Sequence, residues 1–309
     1  MIEPAVIALR LLQYLGAMVL LGSSLFFLYA LPRSRPGVTL AVKWERGALV
    51  AAGLLLVLTS LLQIVAQSVM LSSSFADGIK TEALTAVVSY MPQGKAAVVR
   101  AAAAAAGVLA LLLLPSRGPR LIITAILALV ATASLAWMGH AAATEGPWGT
   151  VHLVSDMLHV LAAALWLGAL AGFIGLPLSR PKTPEARAAF HAALAGFSGI
   201  GSAAVAVLIL TGVVNSWILV GPDRLESLWT TPYGRLLAVK VLLFLVMLGL
   251  AAANRYRLAP ALERSLDHRN EPDLEVAALR RSIALESTLG VAVLLLVAWF
   301  GTLAPPGAG

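Results

Sequence analysis

Eight stretches of about twenty or more mostly apolar residues recur along the chain, at roughly 5–31, 47–71, 96–114, 120–140, 152–178, 197–220, 233–253 and 282–303. Each is long enough to cross a hydrocarbon layer of roughly 30 Å. Lipid offers no partner to backbone N–H and C=O groups, so a spanning segment must be a helix or a barrel strand, and runs of this length are helices. The expected fold class is therefore all-α, a polytopic integral membrane helical bundle of about eight transmembrane helices. Composition agrees: of 309 residues, 60% are hydrophobic and 12% charged, whereas a soluble domain carries roughly 25% charge. A water-soluble enzyme and a disordered chain are both excluded on that ground. The start, "MIEPAVIALRLLQYLG", has no basic segment ahead of its apolar run and no small-residue cleavage site, so it reads as a retained first span. We expect one integral membrane domain over 1–309, with four spans in 1–140 and four in 152–303.

Basic residues set the expected orientation. Arg33, Arg35, Lys43, Arg46, Arg117, Arg120, Arg180, Lys182, Arg187, Arg255, Arg257, Arg264, Arg269, Arg280 and Arg281 follow the odd-numbered spans. The opposite loops hold only Lys80, Lys95, Arg224 and Arg235. Cytoplasmic loops carry the excess of Lys and Arg, so both termini and the loops 72–95, 141–151 and 221–232 are expected outside the cytoplasm. The net charge of +7 is explained this way, with membrane lipid as the surrounding partner and no nucleic acid. Within the longest polar segment, about 254–281, we expect a short surface helix. "TPEARAAFHAAL" (183–194) reads as an interfacial or span-extending helix, and "TTPYGR" (230–235) as the start of span 7.

Charges placed in a bilayer are costly, so they tend to be paired or functional. The densest group straddles spans 4 and 5, in "WMGHAAATEGPWGTVHLVSDMLHVLAAALWLGAL". It holds three of the five histidines, His140, His152 and His159, together with Asp156. His152, Asp156 and His159 are spaced i, i+4, i+7 and share one helix face within about 60°, which Trp166 continues. His152 and His159 are separated by about 10 Å along the axis, too far for one ion with ligands near 2 Å. The stripe therefore implies either one ion held by Asp156, His159 and another helix, or two successive stations with His140 as a donor at the outer end. Asp156 could ligate directly or orient an imidazole. Glu145, His191 and His268 read as solvated surface residues.

The chain has no cysteine, so a metal must rely on imidazole, thioether, carboxylate or backbone oxygen. Imidazole suits copper, zinc, iron and nickel, and thioether selects Cu(I). Met70, Met91, Met138 and Met157 lie near the same ends of their spans as the histidines, which points to copper. Other intramembrane polar groups receive structural assignments. Glu286 is expected to anchor to Arg280, Arg281 or Arg255, with a proton site as the alternative. Lys240 and Arg235 are expected to snorkel or to pair with an acid. Gln63, Gln67 and Asn215 are expected to bond between helices. Gly168 and Gly172 form a small-xxx-small packing face.

Several stretches together resemble the copper resistance protein D (CopD) family of bacterial inner-membrane copper homeostasis proteins. They are "GHA" (139–141), "HLVSDMLHVLAAALWLGAL" (152–170), "LTGVVNSWILVG" (210–221), "TTPYGRLLAVK" (230–240), "AAANRYRLAP" (251–260) and "LEST" (285–288). The resemblance implies an eight-span inner-membrane protein, not an enzyme, that imports copper and works with a periplasmic copper-binding protein of the CopC type. It places the family's histidine motifs on His140, His152 and His159. Its remaining shared elements fall on Thr211, Gly212, Asn215, Tyr233, Gly234, Lys240, Asn254, Arg255 and Glu286. Many relatives carry His where this chain has Gln13, so a site that uses that position is smaller here or completed differently. Two other classes remain open on the residues alone. One is a membrane b-type haem protein, which a Soret band would reveal. The other is a sensory or scaffolding subunit that binds metal without moving it, which binding without flux would reveal.

Overall fold

The computed structural model describes residues 2–30, 38–175, 184–267 and 273–308. Arg33, Arg35, Arg180, Lys182, Thr183, His268 and Arg269 lie outside the described residues. The helices are α1 (Ile2–Ala17), α2 (Ser24–Tyr29), α3 (Val38–Ser72), α4 (Phe75–Gly78), α5 (Thr81–Tyr90), α6 (Pro92–Leu113), α7 (Arg117–Ala133), α8 (Gly149–Gly175), α9 (Pro184–Leu219), α10 (Ser227–Thr230), α11 (Pro232–Ala253), α12 (Ala259–Asp267) and α13 (Asp273–Phe300). Among the described residues there is no strand, and eight helical segments are long and apolar enough to cross a membrane. The protein is thus a polytopic helical membrane protein.

The outward faces carry the apolar side chains that lipid requires. Leu54, Leu58 and Leu61 on α3 recur at i, i+4, i+7 and are each about half exposed. The inward faces build one core of Phe26, Phe27, Leu49, Leu56, Ala104, Leu121, Ala164, Trp166 and Phe173 among others. At its centre, α8 meets the first span. A wide π-helical turn, Met18–Ser23, joins α1 to α2. Gly22 in that turn lies so close to α8 that a Cβ placed on it would fall 1.8 Å from the Ala164 carbonyl oxygen. A Cβ on Gly168 would fall 2.3 Å from the Met18 carbonyl oxygen and 2.4 Å from the Gly22 Cα. Ser23 Oγ seals the crossing by donating to the Gly168 carbonyl at 2.7 Å. The expected small-residue face is therefore real, and its partner is the first span.

Several expectations are refined. The segment 183–194 extends a span: α9 runs unbroken from Pro184 to Leu219. Span 7 begins as expected, with Thr231 Oγ1 accepting from the Gly234 N–H at 3.0 Å and Pro232 in the first turn. The segment 254–281 contributes α12 as a short helix, but its last third already belongs to α13. The stretch 72–95, read from sequence only as a loop, contains α4 and α5. Glu45 on α3 is fully buried and takes both Nε and Nη2 of Arg117, at 3.0 and 2.7 Å.

Contacts between distant segments bring the start of α1, the 134–152 connection, the start of α11 and the end of α13 together at one end of the bundle. Arg10 donates to the Met138 carbonyl. His140 packs edge-on against Tyr233, with ring centroids 5.9 Å apart, and Tyr233 packs on Phe300 at 5.2 Å. This end is called the histidine end below.

Candidate metal pathway

The connection from α7 to α8 tightens before it turns. The 3-10 segments Ser134–Met138 and His140–Ala143 flank Gly139, whose backbone is extended. Gly139 lies against Asp156: a Cβ there would sit 3.6 Å from Asp156 Oδ2. This turn places His140 over the start of α8, within electrostatic reach of His152. Nε2 of His140 is buried with no hydrogen-bond partner. Burial holds the His140 pKa below the usual imidazole value of 6.5; the Arg10 charge acts in the same direction, and the Phe300 and Leu303 backbone opposes it. Its ring is neutral at pH 7, with a lone pair on one nitrogen.

The helix α8 is continuous from Gly149 to Gly175, so the sequence-derived spacing holds. His152 is 1% exposed. Asp156 lies one turn deeper and accepts from Asn215 Nδ2 on α9 at 3.4 Å. His159 follows, about 10 Å beyond His152 along the axis. His140 and His152 lie at the outer end of the stripe, Asp156 one turn deeper and His159 deeper again along the same continuous helix. Among the described residues, no three His, Asp or Glu side chains are gathered closely enough to surround one ion.

Two threonines orient the imidazoles. Thr211 Oγ1 donates its single proton to the Val207 carbonyl, one turn back on α9, at 2.6 Å. It also lies 2.8 Å from His159 Nδ1. With its proton committed, the hydroxyl accepts, so Nδ1 of His159 carries the ring proton and Nε2 keeps its lone pair. Thr144 repeats the device. It lies 3.2 Å from the His140 carbonyl, to which it donates, and 2.7 Å from His152 Nδ1. The Thr144 hydroxyl thus fixes the orientation of the His152 ring through Nδ1. A hydrogen bond on the far nitrogen fixes the tautomer a metal requires. Sequence reasoning missed both threonines as ring holders. Thr211 had been noted only through the resemblance, and Thr144 only as part of the loop.

The surroundings add one positive charge and several neutral groups. Lys240 on α11 is within electrostatic reach of Asp156 and His159. Its Nζ lies 5.7 Å from the Phe300 ring centroid. It neither snorkels away nor forms a close ion pair. Arg235 instead donates to the Trp229 carbonyl at 2.8 Å. The Tyr233 hydroxyl is buried without a partner. A Cβ on Gly212 would meet His159 Cε1 at 3.7 Å, so α9 passes close to that ring. Met138 is buried at the histidine end and Met70 is half exposed.

At the other end of the same α8 face the expectation for Glu286 is corrected. Its carboxylate accepts from Trp166 Nε1 at 2.6 Å and from Asn254 Nδ2 at 3.0 Å, not from an arginine. Arg255 is engaged elsewhere, donating to the Ser198 carbonyl at 3.2 Å and to Ser202 Oγ. Trp166 does continue the histidine face, and so connects it to a buried carboxylate. His191 lies 4.0 Å from Glu263 and takes no part in the site.

The chain is similar to known proteins over most of its length. A family model described as copper resistance protein D matches residues 191–300, and one described as copper resistance protein D-like, N-terminal domain, matches residues 1–150. His152, Asp156 and His159 fall between the two matched regions. The chain is 35% identical to Copper resistance protein D of Pseudomonas syringae pv. tomato over 309 residues, covering 98% of this chain and 97% of that protein. It is 31% identical over 172 residues to Inner membrane protein YebZ of Escherichia coli (strain K12), covering 55% of each. It is 30% identical over 171 residues to Copper transport protein CutJ of Bacillus subtilis (strain 168), covering 55% of this chain and 28% of that protein. No solved structure matches.

Proposed function

Because the chain belongs to the copper resistance protein D family, we propose that it imports copper across the bacterial inner membrane, through His140, His152, Asp156 and His159 in turn. Its eight apolar helices and its relatives make it a multi-pass inner-membrane protein of copper handling. The observation that carries the finer reading is the state of the imidazoles. His152 and His159 are both held at Nδ1 by threonine hydroxyls, Thr211 having its own proton engaged by the Val207 carbonyl, and Nε2 of His140 is buried and unpartnered.

The ligands are strung along α8 rather than gathered around one point. A conducted ion must bind well enough to enter yet weakly enough to leave, which a series of sparse stations provides. Asp156 adds a negative charge beside the path and offsets Lys240. In this reading the histidine end faces the periplasm, as the distribution of basic residues requires. A periplasmic copper-binding protein of the CopC type would deliver the ion to His140 and His152.

The test is copper uptake into proteoliposomes holding the full chain, with metal bound per chain measured in parallel. Uptake that falls with alanine at His140 and His159 supports transport. Binding without flux assigns a sensory or scaffolding role, and a Soret band assigns haem.

Two further outcomes are expected. Thr211→Val keeps the shape beside His159 but removes the acceptor for its Nδ1 proton. It is expected to weaken copper binding roughly 10- to 100-fold, the usual effect of losing a group that orients a metal ligand, as measured by competition with a Cu(I) chelator. The pH profile is the second. The folded protein holds His140 neutral more strongly than the unfolded chain does, so protons compete for its nitrogen only below the ordinary value of 6.5. The His140 contribution, taken as the affinity difference between wild type and His140→Ala, is therefore expected to stay level from about pH 8 to pH 6.5 and to shrink below that. A steady decline through pH 7.5 would contradict the depressed basicity.

A further inference from the structure

A second group of buried charges lies at the histidine end, away from the α8 stripe. A cavity of about 170 Å³ opens between α1, α3 and α6 and is lined by Arg10, Gln63, Gln67, Met70, Gln93 and Met138, among others. It contains no acidic side chain. Arg10 is only 8% exposed and donates to the Met138 carbonyl through Nη2. Gln63 Oε1 is buried without a partner. Ala97 is part of the wall, and one turn further along α6 stands Arg100, which is fully buried with Nε, Nη1 and Nη2 all unpartnered. Arg100 is within electrostatic reach of Arg10 and Tyr14. Both amide atoms of the fully buried Gln13, one turn from Arg10, are unpartnered too.

Among the described residues, neither guanidinium has a carboxylate within ion-pairing distance. Two unneutralised guanidinium charges inside a membrane protein are costly, since burying an ion without a counter-charge costs several kcal/mol in effective terms. Arginine holds its proton far more firmly than any other basic side chain, and its five N–H donors seek acceptors. We propose that this cavity is a binding site for a compact monovalent anion, held by Arg10 and by the amides of Gln63, Gln67 and Gln93, with Arg100 supplying a second positive charge from behind the wall. The volume suits such an ion with a few waters, each of which occupies about 30 Å³. Met70 and Met138 would suit Cu(I) by ligand softness. The uncompensated positive charge of the two arginines repels a cation, so this opening is not a second copper entrance. The site stands on its own observations and does not depend on copper being transported.

Chloride and a small carboxylate such as acetate share this chemistry. Both are tested on the purified full chain in detergent, starting from gluconate buffer at fixed ionic strength. The thermal unfolding midpoint is followed as chloride or acetate replaces gluconate, and bound ion per chain is measured by equilibrium dialysis with labelled chloride or acetate. A saturable rise with one ion bound per chain is expected, and the tighter of the two identifies the source. Arg10→Gln is expected to weaken binding about ten-fold or more, as the loss of a charge-assisted hydrogen bond implies. Arg264→Gln, exposed on α12 beyond the opposite end of α11, is expected to leave it within about two-fold, as a remote exposed charge is screened. Should Arg10→Gln fail to fold, Gln63→Ala is expected to weaken binding about three-fold, the scale of one neutral hydrogen bond. Equal midpoints in gluconate, chloride and acetate with no labelled ion bound overturn the proposal. So does full affinity in Arg10→Gln, or displacement of the anion by stoichiometric Cu(I).

Discussion

Alanine at His159 is expected to abolish most copper uptake while leaving the protein folded in the membrane. The His159 ring stands alone at its depth on α8, with no second histidine beside it to take over. Loss of the group that merely orients a metal ligand costs roughly 10- to 100-fold, and loss of the ligand itself is expected to cost at least that much in initial uptake rate. Folding is expected to survive because His159 contributes one side-chain hydrogen bond, to Thr211, worth about 1 kcal/mol. The measurement is copper entry into proteoliposomes at matched protein content, with the retained helical signal as control. A contrast with His140→Ala tests the order of stations. Removing His140 is expected to raise the copper concentration needed for half-maximal uptake, since it acts at entry. Removing His159 is expected to lower the maximal rate. Equal uptake in His159→Ala and wild type would remove the deeper station from the pathway.

Valine at Gly168 is expected to have a large structural effect. A Cβ there meets the Met18 carbonyl oxygen at 2.3 Å and the Gly22 Cα at 2.4 Å. Both are backbone atoms, so no rotamer change can relieve the overlap. The first span must move away from α8, which opens the Ser23 bond to the Gly168 carbonyl and the packing of Phe26 on Phe173, whose ring centroids lie 4.6 Å apart. Overpacking a well-filled core costs roughly 1–3 kcal/mol even where side chains can yield; here the cost is expected to be higher. Thermal unfolding in detergent is expected at a midpoint lower by 10 °C or more, on the order of what a few kcal/mol produces. Gly47, whose added Cβ would meet nothing within 4 Å, is the matched control. An unchanged midpoint for Gly168→Val would contradict the close crossing.

The spans were legible in the sequence because lipid imposes a simple demand, a long apolar run with internally satisfied backbone. Where the demand lapses, the reading weakened. The amphipathic α4 and α5 went unseen because they are too short and too mixed to register as apolar runs. The segment 183–194 was legible as a helix from its N-terminal Thr-Pro-Glu, but only the structure shows that it runs on without a break into the sixth span. The spacing of His152, Asp156 and His159 was legible because a helix face is a local property. The partners of those rings were not, since Thr211 lies 52 residues from His159 and only the packing of α9 on α8 joins them. Glu286 shows the same limit. Arg280 and Arg281 near it in sequence, and Arg255 at the end of span 7, made plausible partners, but the carboxylate is taken by Trp166, 120 residues away, and by Asn254. Gly168 announced a close approach without naming Gly22 as its counterpart.

The hydroxyl that steadies His159 belongs to a different helix from the ring it steadies. The basicity of that imidazole, and hence its grip on a soft cation, is therefore set by the rotational position of α9. A small twist of α9 that withdraws Thr211 would loosen the coordination bond while α8 stays clamped against the first span. In the proposed pathway, discharge of the cargo would then require no displacement of His159, only a turn of its neighbour.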